Sequence, residues 1–141
     1  MSNLETIVFD DAAAQELSER LADVFRTAKV GNVFTEDVFL DGHPPLWRFQ
    51  IQGRDNVAAW LQGYSPDGAD ITVVRTVPTA TGFVTEFVGR HDDGGDEMTD
   101  RKILLCDVRD RRIAELTIYC SGDWDNALRA RHASEAPILR P

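Results

Sequence analysis

The chain has 141 residues and a formal net charge of −9. That length accommodates one domain, residues 1–141, with a core large enough to fold without disulfides or a structural metal. The acidic balance repels phosphate backbones and anionic bilayers, so neither nucleic acid nor membrane is an expected partner.

No apolar run reaches the roughly 20 residues of a membrane span. Residues 1–5, Met-Ser-Asn-Leu-Glu, have neither the basic nor the apolar stretch of a secretory leader. Two cysteines, Cys106 and Cys120, lie in apolar strand-like runs without metal-type spacing. The expectation is a cytoplasmic protein with free thiols and no metal site.

Asp10 and Asp11 precede an alanine-rich stretch, an N-cap signal, because a carboxylate accepts the first unpaired backbone N–H groups and favours the helix dipole. Ala14, Leu17, Leu21, Val24 and Phe25 follow at three- and four-residue spacing and predict one buried stripe. Gly31 offers a left-handed stop. A short strand is predicted from Phe34 to Leu40, followed by a loop at Asp41-Gly42-His43-Pro44-Pro45. Trp47, Phe49 and Ile51 alternate with polar residues as a half-buried strand does. Asp55 caps a predicted short helix through Val57, Trp60 and Leu61 that closes at Gly63.

Beyond Asp70 the hydrophobic period becomes two. Strands are predicted over residues 71–77, 83–91, 101–108 and 113–120, joined by short Gly-, Asp- and Arg-rich turns. Such short connections make the sheet largely antiparallel. A last helix, capped by Ser121 or Asp123, runs through Trp124, Ala127 and Leu128 before Pro137 and Pro141 forbid its continuation. Helices gathered on one side of an antiparallel sheet define an α+β fold.

Three strings in this order are similar to segments of one superfamily. They are Phe34-Thr35-Glu36-Asp37-Val38-Phe39-Leu40-Asp41, Gln52-Gly53-Arg54-Asp55-Asn56-Val57-Ala58-Ala59-Trp60, and Asp110-Arg111-Arg112-Ile113-Ala114-Glu115. With the element order they resemble the nuclear transport factor 2-like superfamily, which includes ketosteroid isomerase and the SnoaL-like proteins, here of actinomycete type. The resemblance implies a cone-shaped, curved antiparallel sheet wrapped around helices, a cystatin-like architecture with an apolar cavity on its concave face. It also implies homodimerisation through the outer face of the sheet. The superfamily holds isomerases, dehydratases, cyclases, epoxide hydrolases and non-catalytic proteins, so the fold alone names no reaction.

Within that frame Asp41 is the candidate base, placed where an apolar strand meets the Pro-containing loop. Aligned without gaps, the ketosteroid isomerase base falls on Gly42, with Asp41 and His43 flanking it. A one-residue slip turns a strand side chain to the opposite face, and the alternative role for Asp41 is to cap the Gly42 turn. His43 has the unperturbed pKa of a proton shuttle. Asp100 resembles in position the protonated acid of the ketosteroid isomerase oxyanion hole. Pairing the strands about the 109–112 turn instead puts Arg101, Ile103 and Leu105 on one face with Leu116, Ile118 and Cys120. That makes Arg101 the competing cavity residue and sends Asp100, Lys102 and Tyr119 to the outer face.

Glu86, if buried, needs Arg75 or Arg101 as an ionic partner. Phe25, Trp47, Trp60, Phe83, Phe87 and Tyr119 are candidate pocket-lining aromatics, with core packing as the alternative. No phosphate-binding loop, zinc motif, calcium loop or nucleophile elbow occurs. The expected function is therefore that of a cofactor-free isomerase, lyase or cyclase acting on a hydrophobic small carbonyl compound of steroid or polyketide type. The alternative is a binding or dimerisation module of the same fold.

Overall fold

A computed structural model describes residues 9–140. Helix α1 spans Asp11–Thr27, and the Asp10 carboxylate caps it by accepting the Ala13 N–H at 3.3 Å. Its buried stripe is Ala14, Leu17, Leu21, Val24 and Phe25, with Ser18 and Ala22 between them. The stop is Ala28, in the left-handed region at φ 58°, rather than Gly31.

Six strands follow: β1 (Phe34–His43), β2 (Phe49–Gln52), β3 (Asp70–Pro78), β4 (Gly82–Asp93), β5 (Asp96–Arg109) and β6 (Arg112–Cys120). Helix α2 (Arg54–Tyr64) lies between β2 and β3, and α3 (Asn126–Glu135) follows β6. The strands form one sheet in the order β2-β1-β6-β5-β4-β3. Every neighbouring pair is antiparallel except β1 with β6, which is parallel. The fold is α+β, as expected. Several boundaries differ from the sequence reading, among them the start of β2 at Phe49 rather than Trp47 and of β5 at Asp96 rather than Arg101. Strand β1 continues through Asp41, Gly42 and His43, which were expected in a loop, because those residues pair with both β2 and β6. Helix α2 begins after Gly53 (φ 95°), without a side-chain cap, and passes through Gly63 to Tyr64. Helix α3 is capped by Asp125, whose carboxylate accepts the Leu128 N–H at 2.8 Å.

Helix α1 lies over the inner face of β3 and β4. The buried Ser18 hydroxyl is hydrogen-bonded to Thr76 at 2.7 Å and to Thr85 at 2.9 Å, so this polar group is satisfied where the helix meets the sheet. Along β4, Phe83, Thr85, Phe87 and Gly89 face inward, while Val84, Glu86 and Val88 face outward. Along β5, Asp100, Lys102, Leu104 and Cys106 are buried, while Arg101, Ile103, Leu105 and Asp107 are exposed.

This reverses the expected assignment of β5. The β5–β6 hairpin turns through Asp110 and Arg111, both at positive φ (53° and 63°), the geometry of a tight two-residue turn. A regular ladder from Arg109 and Arg112 would set Leu105 opposite Leu116. The observed register shifts between Asp107 and Val108, so Asp107 pairs with Glu115 while Val108 pairs with Ile113. Ala114 is left over as a β-bulge. Leu104 then pairs with Ile118, Cys106 with Leu116, and Lys102 with Cys120. Arg101 is thereby an outer-face residue, and the Asp100 face is the inner one. Among the described residues no helix is long and apolar enough to cross a membrane.

Candidate binding and catalytic site

A cavity of about 260 Å³ opens beside α2 on the inner face of the sheet. Strand β1 contributes Gly42 and His43, the following turn Pro44 and Trp47, and β2 Phe49. Helix α2 contributes Trp60 and Tyr64, one turn apart on the same face, with their rings stacked at 5.4 Å. Lys102 of β5 and Ile118 and Cys120 of β6 form the floor. Larger depressions, about 420 Å³ beside Glu36 and Asn56 and about 610 Å³ beside Asp37 and Arg112, are open and lined mainly by polar residues. A further depression of about 270 Å³, mainly apolar, is lined by Val88, Thr99, Asp100, Arg101, Ser121 and Trp124. The aromatic-walled cavity combines apolar surface with a single placed charge, the usual make-up of a small-molecule site.

Gly42 is required by the packing. A Cβ there would lie 2.3 Å from the Phe49 ring, so the ring covers the inner face of β1 only because no side chain stands under it. The position on which the ketosteroid isomerase base aligns is thus filled by an aromatic ring.

The charge at the cavity is Lys102, hydrogen-bonded to Asp100 two residues back on the same strand face. The two side chains are only 6% and 3% exposed. The Lys102 Nζ also lies 5.5 Å from the Tyr64 ring centre and 5.6 Å from that of Phe25. Burial pulls the Lys102 ammonium below the ordinary lysine pKa, against the opposing influence of Cys120 and Asp123. The Cys120 thiol is 3.6 Å from the same Asp100 oxygen and accepts the Gly122 N–H at 3.3 Å. Tyr64 donates to Asp123 at 3.3 Å, and burial pushes its phenol well above the usual tyrosine value. Asp100 is held from behind by Gly89: a Cβ at residue 89 would lie 2.3 Å from the carboxylate.

The other candidates are distributed differently from expectation. Asp41 lies on the outer side of β1, because inner and outer residues alternate and Leu40 and Gly42 face the core. Arg48 grips it with two hydrogen bonds of 2.9 Å, and His43 Nε2 is 3.2 Å away. The Arg48 contact, ahead of the His43 one, takes its carboxyl down to about 2, far from the range of a base working near neutral pH. His43 borders the cavity, but its ring stacks on Tyr119 at 4.5 Å. Tyr119 itself is on the outer face and exposed, because it pairs with Ile103. Arg101 is exposed beside Glu86, which bridges Arg75 at 3.3 Å and Arg101 at 3.4 Å on the outer face. Phe83 and Phe87 are fully buried core residues, and Phe25 meets Phe87 edge-on at 6.1 Å. These three build the core rather than line the cavity. Trp47 and Trp60 do line it. The sequence reading missed Lys102, Phe49, Tyr64 and Cys120.

No family model matches the sequence, and no curated protein matches it. Solved structures do. A nuclear transport factor 2-like protein from Anabaena variabilis is 21% identical and superimposes with a TM-score of 0.65, over 79% of this chain and 89% of its own. A hypothetical protein with a ketosteroid isomerase-like fold from Catenulispora acidiphila, in complex with trimethylamine, gives 14% identity and a TM-score of 0.63, over 74% and 84%.

The chain has the nuclear transport factor 2-like fold.

A protein of unknown function from Mesorhizobium loti, 20% identical over 81% of this chain and 97% of its own, gives a TM-score of 0.60. In a nuclear transport factor 2-like fold the helices cover the concave side of the sheet, and here that side carries Asp100 and Lys102.

A carboxyl pKa lowered in the folded state stabilises the protein above the unfolded value near 3.9, and that contribution is lost as pH falls toward about 2. Carboxyl-carbon NMR is expected to show Asp41 titrating near 2 in the native chain and at a higher pH in Arg48→Met. An ordinary midpoint in both proteins contradicts the clamp.

Proposed function

We propose that the aromatic cavity binds a compact, mainly apolar carbonyl compound and that Asp100 and Lys102 move protons on it, as in a cofactor-free isomerase, lyase or cyclase. The observation that carries this reading is a buried acid–amine pair whose amine, Lys102, stands on the wall of an otherwise apolar cavity, with the Asp100 carboxylate hydrogen-bonded to it from the adjoining depression between β5 and Trp124. A buried ion pair adds little to stability and is often replaceable by apolar residues, so its presence against a cavity is better accounted for by chemistry. In a water-poor site Asp100 can accept a proton from carbon next to a carbonyl, while Lys102 stabilises the charge that develops on oxygen. A volume of about 260 Å³ lies below the usual range of roughly 300–1,000 Å³ for small-molecule sites. The ligand it favours is therefore compact, at the small end of the steroid- or polyketide-type carbonyl compounds expected from the sequence.

A second reading, compatible with the first, concerns assembly. On the outer face Val77 pairs with Val84 and Val84 with Leu105, while Ile103 pairs with Tyr119. Val77, Ile103, Leu105 and Tyr119 are all substantially exposed. These neighbouring apolar rows, flanked by the Arg75–Glu86–Arg101 ion pairs, suit a second copy of the chain related by a two-fold axis. Sedimentation equilibrium is expected to give a dimer for the native chain and a monomer for Leu105→Arg. A native monomer at micromolar concentration removes this reading.

The chemical reading is tested by deuterium exchange at the α-carbon of small cyclic ketones. Asp100→Asn is expected to lose about 10²-fold or more in rate, whereas Asp41→Asn, on the outer face, keeps the native rate. Removing one member of a buried pair costs about 3–5 kcal/mol, so the isosteric double variant Asp100→Asn/Lys102→Met serves as the folded control. Native-level exchange in that double variant rules out the pair as the proton-moving group.

A further inference from the structure

We propose that the Lys102 amine is a nucleophile that captures the carbonyl ligand covalently, forming an imine in the aromatic cavity. The inference rests on the reading of this cavity as a carbonyl-binding site and specifies how the ligand is held. Of the fifteen basic side chains in the sequence only two are lysines, Lys29 and Lys102, and the rest are arginines. Among the described residues, every other ion pair is made by an arginine or a histidine. A structural partner for Asp100 would be served as well or better by arginine, whose planar fork matches a carboxylate. Arginine cannot lose its proton and attack carbon; a desolvated lysine can. Among the described residues, the buried cationic position is thus an amine, Lys102, and it faces a cavity, while Lys29 is exposed.

The surroundings supply what the reaction needs. Phe49, Trp60, Tyr64 and Ile118 exclude water around the amine, which favours its neutral form. Asp100 touches Lys102 and can take the ammonium proton. The Nζ lone pair then adds to the carbonyl carbon, and one of the two protons left on nitrogen passes to the carbonyl oxygen, giving a carbinolamine. Asp100 returns its proton to the hydroxyl, the C–O bond breaks and water leaves, so that a protonated imine stands beside the regenerated Asp100 carboxylate. The sum is ammonium plus carbonyl giving protonated imine plus water, with no oxidant or reductant involved. A protonated imine withdraws electrons from the neighbouring carbon, so the same adduct promotes the α-proton transfer proposed above. The titratable groups around Nζ are Asp100, Cys120 and Tyr64, with Asp123 reached through Tyr64.

The test is reductive trapping with cyclohexanone as the probe and borohydride as the hydride donor, which converts an imine to a stable secondary amine. The full-length protein is treated, and the site is located by peptide mass mapping. The expected result is one adduct on Lys102, formed well before any on Lys29 or the N-terminal amine. Lys102→Arg keeps the cation beside Asp100 and is expected to retain ketone-induced quenching of tryptophan fluorescence, while losing both the adduct and α-proton exchange. Quenching in the native protein with Lys102 unmodified overturns the imine and leaves the binding reading intact. Equal labelling of Lys29 and Lys102 also overturns it, as unselective amine chemistry. Absence of both quenching and adduct removes the inference together with the reading on which it rests.

Discussion

The β-bulge at Ala114 determines which side chains of β5 look into the fold. The period of a strand is two, so one unpaired residue in β6 exchanges the inner and outer sets of its partner. With the bulge in place, Leu104 and Cys106 meet Leu116 and Ile118 beneath α1 and α2, and the row continues toward the open end of the sheet as Lys102 and then Asp100. Without it Arg101 and Ile103 would point inward, and the exposed outer face would hold the acid and the amine. The composition of the cavity therefore follows from a backbone irregularity ten residues and more from the groups it positions.

The two ends of the inner face do different work. Toward α1, Phe25, Phe83, Phe87 and Leu104 pack around the Ser18–Thr76–Thr85 hydroxyl cluster, with Lys102 at their edge, 5.6 Å from the Phe25 ring and paired in register with Phe87. Toward α2, Gly42 admits the Phe49 ring, and Gly89 admits the Asp100 carboxylate. Both glycines stand where a Cβ would collide, so each marks a close approach and neither is needed for a left-handed turn. The outer face carries the arginine-clamped Asp41, the Glu86 ion pairs and the exposed apolar rows. Charge on that face is stabilised by exposed arginines. Among the described residues, the buried charges are the Asp100–Lys102 pair on the inner face.

Much of the architecture was legible in the sequence because it rests on periodicity and caps. The α1 stripe, the Asp10 cap and the four long strands are all local patterns. The misplacement of Arg101 came from a non-local fact. Both faces of β5 alternate with aliphatic residues, Leu104 and Cys106 on one and Ile103 and Leu105 on the other, so hydrophobicity could not choose between them. No residue type announces a bulge at Ala114, and the hairpin was read with a regular ladder. Asp41 was nearer to resolution: its one-residue offset from Gly42 already implied the opposite face, and the extension of β1 through His43 makes that alternation binding. Tyr64 escaped notice because the helix was expected to close at Gly63, one residue before it, whereas α2 runs through that glycine. Lys102 left one signal unused, its rarity in a chain that otherwise uses arginine.

The central claim is that the Lys102 amine lies inside an apolar cavity and is perturbed by it. The most direct measurement is a pH titration of the protein carrying 13Cε-labelled lysine, whose spectrum contains two lysine signals, assigned by Lys29→Arg. The account predicts that the Lys102 signal titrates below the ordinary lysine value of about 10.4, and that it shifts when cyclohexanone is added. A Lys102 midpoint at that ordinary value, with no response to the ketone, would show an amine in water and contradict the account.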